Sequence, residues 1–271
     1  MSDETTKRRS KDSVFVDLFT NTEYVLRLYK ELHPEDTDVT EADINIQTIK
    51  SILVNTLYND LGFTVKDKFV LLIEAQSVWN KNITLRMLFY LSETYRRYLK
   101  DTVQSEHSES LVEIPKPELY VVYSGDAKIP DTVSLNDTYF GGNAPVDLKI
   151  KVLDEVNDTI YGQYIGFCKI FNEQRKMHGK NIDCAKETIR ICREKGYLSA
   201  YLQTREKEVI TMLDELFDEE ALREAYDKAK EKKNEKEWVA KGRKEERADI
   251  FSKLLKAGFS EDQINNALNA N

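Results

Sequence analysis

Cysteine and histidine are scarce in this chain, three of each in 271 residues. Cys168, Cys184 and Cys192 are odd in number and widely spaced, with no Cys-x-x-Cys pair. A disulfide framework is excluded, and reduced thiols in a cytosolic protein are the simplest reading. Cys184 and Cys192 lie eight residues apart on an apparent helix and read as small core residues. His33, His107 and His178 stand near Pro, Ser or Gly and make no zinc-like spacing. No run of eighteen apolar residues exists, which excludes a membrane-spanning helix. The first ten residues lack the apolar core of a signal peptide, so a cytoplasmic or nucleoid-associated location is expected. There is no Gly-rich phosphate loop, Gly141-Gly142 reading as a turn, and no Gly-x-Ser-x-Gly elbow.

An excess of positive charge is also missing: the formal net charge is −8. Sequence-independent DNA affinity comes mostly from Lys and Arg neutralising phosphates, so the average charge argues against tight binding of naked DNA. A basic groove can still coexist with an acidic remainder. Arg96, Arg97 and Lys100, with Lys169, Arg175, Lys176 and Lys180, either line such a groove or form a wet helix face.

With 41% hydrophobic and 32% charged residues, the chain is globular and holds one sizeable α/β core plus an appendage. Residues 1–12 read as a mobile lead. The pattern predicts a helix over 13–32 stopped by His33-Pro34, then an acidic loop over 34–45. Ile46 to Tyr58 is ambiguous between helix and strand. A hairpin follows, then a helix from Asn82 to Lys100 with Ile83, Met87, Leu88, Leu91 and Leu99 at helical spacing. Residues 101–116 are a polar linker. Strands are expected at Leu119–Tyr123 and Val146–Leu153, and helices from Asp158 and over 183–203. This order suits a mixed sheet flanked by helices.

The hairpin is the most informative segment. Leu61, Phe63 and Val65 alternate with polar or small residues, and so do Phe69, Leu71 and Ile73 beyond Lys66-Asp67-Lys68. If those three residues form the turn, Val65 pairs with Phe69, Phe63 with Leu71 and Leu61 with Ile73. All six then share one face, and Asp60 stands directly opposite Glu74, with Gln76 on the same side. Directly opposed residues have Cβ atoms about 4.5–5.5 Å apart, where like charges repel unless a cation or shared proton offsets them. Two carboxylates and the backbone carbonyl of Ala75 suit an oxygen-seeking divalent cation such as Mg2+ or Mn2+. A one-residue slip would exchange the faces.

Asn59-Asp60, Ile73-Glu74-Ala75-Gln76-Ser77, Asn80-Lys81-Asn82-Ile83-Thr84-Leu85-Arg86 and Tyr90 resemble the PD-(D/E)XK nuclease family transposases, the recombination-promoting nuclease group of bacteria. Lys11-Asp12-Ser13-Val14-Phe15 is similar to that family's opening helix, and Tyr120-Val121-Val122-Tyr123-Ser124-Gly125 to its later core strand. Gly242-Arg243-Lys244-Glu245-Glu246 and the following Leu-Leu-Lys-Ala-Gly-Phe-Ser run resemble its tail. The resemblance covers most of the chain. It implies a restriction-endonuclease-like α/β fold and a Mg2+- or Mn2+-dependent DNA endonuclease acting in recombination or on mobile elements. Asp60 and Glu74 would be the metal-binding acids, and Gln76 would stand where the superfamily's name has lysine. Ala75 replaces a common histidine, and Ser77-Val78 a common Ser-Thr. Glutamine cannot act as a base at neutral pH, although it can orient a water or phosphate oxygen.

Three further residues have two readings each. Glu23 is either an additional metal ligand or a solvated helix acid. Arg86, near a helix start, either grips a phosphate bidentately or pairs with an acid to fix the helix. Asn80 and Asn82 are expected to shape the turn and cap the helix. The nuclease-like domain is read as 13–207. A Lys/Glu-rich helical extension over 208–271 ends in a small helical hairpin, with Gly258 closing one helix and Ser260-Glu261-Asp262-Gln263 capping the next. The tail is read as serving protein association, such as a homo-oligomer through these helices, or auxiliary DNA contact, with association favoured because only a few basic residues flank it. Against the nuclease stands a paralogue that keeps the fold but only binds DNA or protein. A third alternative, a helical interaction protein, requires that 58–77 not be a hairpin.

Overall fold

The computed structural model describes residues 14–47, 60–75, 79–217, 248–253, 255–256 and 260–261, with Gln47, Asp60 and 71–75 described by backbone alone. The chain divides into two compact units, Met1–Glu215 and Leu216–Asn271. The first holds a six-stranded mixed sheet flanked by helices, an α/β architecture.

The first predicted helix is two. α1 (Val14–Phe19) buries Val14, Phe15, Leu18 and Phe19, and its chain breaks where the Thr20 hydroxyl donates to the Asp17 carbonyl at 3.0 Å. α2 (Thr22–Leu32) restarts because the Asn21 side chain accepts the Glu23 N–H at 2.9 Å, satisfying an otherwise orphaned donor. His33 caps its C-terminus, as the following proline requires. The acidic loop contains a single 3-10 turn, Glu41–Asp43. β1 (Ile44–Gln47) then takes the first residues of the ambiguous segment as strand, and 48–59 lie outside the described residues.

β1, β2 (Asp60–Val65) and β3 (Lys68–Ala75) form an antiparallel meander. α3 (Ile83–Asp101) carries the chain from β3 to β4 (Lys116–Tyr123), which runs parallel to β3. β6 (Lys149–Leu153) is parallel to β4, and β5 (Thr132–Ser134) closes the edge antiparallel to β6, giving the order β1-β2-β3-β4-β6-β5. β5 and α4 (Leu135–Phe140) had no counterpart in the sequence reading.

The hairpin exists, but its register differs from the expected one by a residue. Its turn is Lys66-Asp67 alone, with Lys66 at φ +53°, and Val65 pairs with Lys68. Phe63 therefore faces Val70, and Leu61 faces Leu72. The apolar set splits between two buried faces. Leu61, Phe63, Val65 and Val70 are buried where α1 lies against β2. Phe69 is buried on the other, with Leu119, Val121, Tyr123, Ile150 and Val152, under Ile83, Met87 and Tyr90 of α3. A sheet covered on both sides carries apolar residues at successive positions, which removes the one-face alternation that the longer turn assumed.

α5 (Ile160–His178) starts at Thr159, whose hydroxyl accepts the Gly162 N–H at 3.1 Å. Its buried face includes Ile160, Tyr164, Ile165, Phe167 and Phe171, as the helical pattern required. The expected 183–203 helix is interrupted: α6 (Ile182–Glu194) and α7 (Ser199–Thr204) are separated by Gly196 at φ +80° and Leu198 at φ +52°. Cys184 and Cys192 are fully buried and unpaired to each other, as core residues. In the second unit, the described residues 248–253 and 255–256 are helical, with Lys253 and Asp249 paired at 2.7 Å one turn apart. No helix among the described residues is long and apolar enough to cross a membrane.

Candidate functional site

The carboxyl ends of parallel strands in open α/β sheets leave crevices where ligands bind. Here that end of β3 carries Glu74 and Ala75, whose backbone positions pair with Val122 and Tyr123 of β4. Asp60, first residue of β2, pairs with Ile73. The direct opposition of Asp60 and Glu74 expected from the sequence is thus corrected: Asp60 stands opposite the residue before Glu74. Like-charge opposition can no longer argue for a cation. What remains is that the two positions lie on neighbouring strands at one end of the sheet, about 6 Å apart on ordinary strand geometry, with Asp60 on the face of Ile73 and Glu74, next along β3, on the opposite face. Gln76 lies outside the described residues. The donor types fit an Mg2+ ion: two carboxylates and a strand-end carbonyl are hard oxygen ligands.

The same end of the sheet receives the start of α3. Trp79 packs edge-on against Tyr123, the register partner of Ala75, with ring centroids 5.4 Å apart. The Asn80 side chain accepts the Asn82 N–H at 2.9 Å, so Asn80 shapes the turn as expected. Asn82 occupies the cap position of α3 without a side-chain cap hydrogen bond. Its Oδ1 instead accepts the Tyr139 hydroxyl at 2.7 Å. Arg86 is half-buried in the first turns of α3, its guanidinium 5.8 Å from the centre of the Tyr90 ring. Helix N-termini favour anions, so this neighbourhood suits a phosphate.

The remaining candidates have surroundings of their own. Glu23 is exposed in the first turn of α2, where an acid complements the helix dipole whether or not it binds anything. Arg96 is exposed and paired with Glu93 at 2.9 Å across one turn, while Arg97 is half-buried on the same helix. Arg175 lies 5.6 Å from the centre of the Phe171 ring. Among the described residues, no three of His, Cys, Asp and Glu are gathered closely enough to hold a metal.

Two polar constellations escaped the sequence reading. The first lies at the amino ends of β3 and β4. His33 places Nε2 2.6 Å from Glu118 and Nδ1 3.3 Å from Glu35. Lys68 stands 3.1 Å from Asp36 and 3.9 Å from Glu118. The Tyr29 hydroxyl donates to Asp36 at 2.5 Å. Burial pushes the Tyr29 hydroxyl up to about 12, with Asp36 adding to the shift. Asp36 is held below the usual carboxylate range by the Tyr29 hydroxyl and then by Lys68. Although burial opposes its charge, Lys68 is held above its ordinary value by Tyr29, Asp36 and Glu118. The available signal was a charged residue, Glu118, inside an apolar strand.

The second is a surface cleft of about 410 Å³ between α1, α2 and α7. There Asp17 accepts the Tyr201 hydroxyl at 2.7 Å and Arg205 at 2.6 and 3.3 Å. Its charged groups satisfy one another, and it joins helices remote in sequence. Comparison of the chain with family models, curated proteins and solved structures gave no match.

Proposed function

We propose that the chain is a metal-dependent DNA endonuclease whose Mg2+ is held by Asp60 and Glu74. The carrying observation is that both acid positions lie at the end of the sheet where β3 finishes and α3 begins; because their register places them on opposite faces, an ion shared by them would have to sit over the sheet end. The mixed sheet flanked by helices is the architecture that the resemblance to PD-(D/E)XK nuclease family transposases implies. Bound there, Mg2+ would acidify a water and neutralise charge on the scissile phosphate. The chain's own contributions are separable. Asp60 and Glu74 supply the anionic ligands and the Ala75 carbonyl a neutral one. The first turn of α3, with Arg86, offers N–H groups and a guanidinium to a phosphate. Gln76 can orient the attacking water but takes no proton.

A second reading is a paralogue that binds DNA or a protein without cleaving. It is favoured by the register, which sets Asp60 opposite Ile73, and by an uncharged Gln76. Supercoiled plasmid separates the two. The nuclease reading expects nicking with Mg2+ or Mn2+ that stops on chelation and falls at least about a hundredfold in Asp60→Ala and in Glu74→Ala, each removing a metal ligand. A folded wild type that nicks with neither metal leaves the binding paralogue.

A further inference from the structure

Tyr139 and Phe140 end α4 with their rings in the open, 40% and 51% exposed. Leu135 at the start of this helix is buried, whereas these two neighbouring rings leave an apolar patch exposed. The rings lie side by side, centroids 6.3 Å apart and tilted by 49°. Their support is rigid. The Ser134 hydroxyl accepts the Asp137 N–H at 3.0 Å and donates to Asp147 at 2.7 Å. Asn136 bonds the Ala144 backbone in both directions, at 2.7 and 3.0 Å. Gly141 and Gly142, at φ +58° and +80°, turn the chain away without adding a side chain beyond the rings. The pair is also positioned: the Tyr139 hydroxyl is held by Asn82 at the start of α3.

We propose that Tyr139 and Phe140 are a stacking platform for unpaired nucleobases, which directs the site at the end of β3 toward single-stranded or locally unpaired DNA. The proposal rests on the nuclease reading for the identity of the polymer. Three observations select this occupant. The platform adjoins the helix start suited to a phosphate, so a strand whose phosphate lies there brings its neighbouring bases to the rings. Two adjacent, exposed rings, one anchored through its hydroxyl, offer a stacking partner to bases, each of which has a π-face whatever its sequence. The chain carries a net charge of −8, and Asp137 is exposed on the same short helix. Affinity built on phosphate neutralisation is therefore disfavoured, and a strand with open bases gains from ring stacking what a duplex, whose bases are already stacked, does not.

The test uses the full chain, a fluorescent oligonucleotide longer than a site of roughly 4–16 nucleotides, and the same strand annealed to its complement. Anisotropy in chelator measures binding, and added Mg2+ measures cleavage. Single-strand binding tighter than duplex binding is expected. It should weaken about tenfold in Phe140→Ala and further in the Tyr139→Ala/Phe140→Ala double variant, as loss of a base–aromatic stack implies. Duplex binding should not change, and Tyr139→Phe, which keeps the ring and loses only its bond to Asn82, should weaken single-strand binding less than Phe140→Ala does. Circular dichroism melts verify that the variants fold. Equal binding of both DNA forms, or single-strand binding indifferent to loss of the rings, overturns the platform. If ring-dependent binding occurs but Mg2+ yields no cleavage, the platform stands and the nuclease reading fails. Cleavage indifferent to the rings and to strandedness has the reverse meaning.

Discussion

Glu118 stands where β4 turns from exposed to buried, between exposed Pro117 and buried Leu119, with its side chain only 14% exposed. A carboxylate there is tolerable because His33, Lys68 and the Tyr120 hydroxyl surround it. Removing one partner strands the rest. His33→Ala is expected to destabilise the fold by about 1–3 kcal/mol, the cost of an unsatisfied buried polar group, measured by urea denaturation. Glu118→Gln in that background should recover part of the loss, because the stranded charge is gone. Unchanged stability in His33→Ala would mean that the cluster holds nothing together. His33 reads from the sequence as one of three loop histidines, since its nearest partner, Glu118, lies 85 residues away on a folded strand. Such pairings have no local signature. The Asn80 turn, by contrast, was legible because its side chain bonds the backbone two residues on.

Among the elements, the long ones were readable and the short ones were not. α3 and α5 each run 19 residues, enough for several repeats of an apolar stripe, and both appear where the periodicity put them. β5 has three residues and α4 six, too few for a period to show. Asp147 holds this short β5–α4–β6 unit, accepting from the Ser134 hydroxyl and from the backbone N–H groups of Asn136 and Leu148. Those bonds, the Ser134 hydroxyl foremost, hold its carboxyl below the usual range. A depressed carboxylate contributes stability above its unfolded value near pH 4, and that contribution fades as pH falls through the folded value. Asp147→Asn should therefore lower the thermal midpoint at pH 7 and flatten its decline between about pH 5 and pH 3. Parallel midpoint curves for variant and wild type would show that Asp147 does not couple to folding.

For the molecule as a whole, the α/β class followed from element order, but the hairpin register did not. Alternation identifies faces only when one face is polar. Val70 and Phe69 are both buried, on opposite faces of a sheet covered by helices on both sides, so two registers fitted the sequence equally well. The deciding feature was the turn, where Lys66 adopts a left-handed conformation usual for Gly or Asn. After this correction the acid positions remain at one sheet end but on opposite faces, and the joint hold of Asp60 and Glu74 on one cation is the claim on which the function turns. Calorimetric titration with Mn2+ tests it without requiring cleavage. The account predicts one ion bound per chain, with binding abolished by Asp60→Ala and equally by Glu74→Ala. Binding that survives either substitution, or a folded wild type that binds no ion, would contradict it.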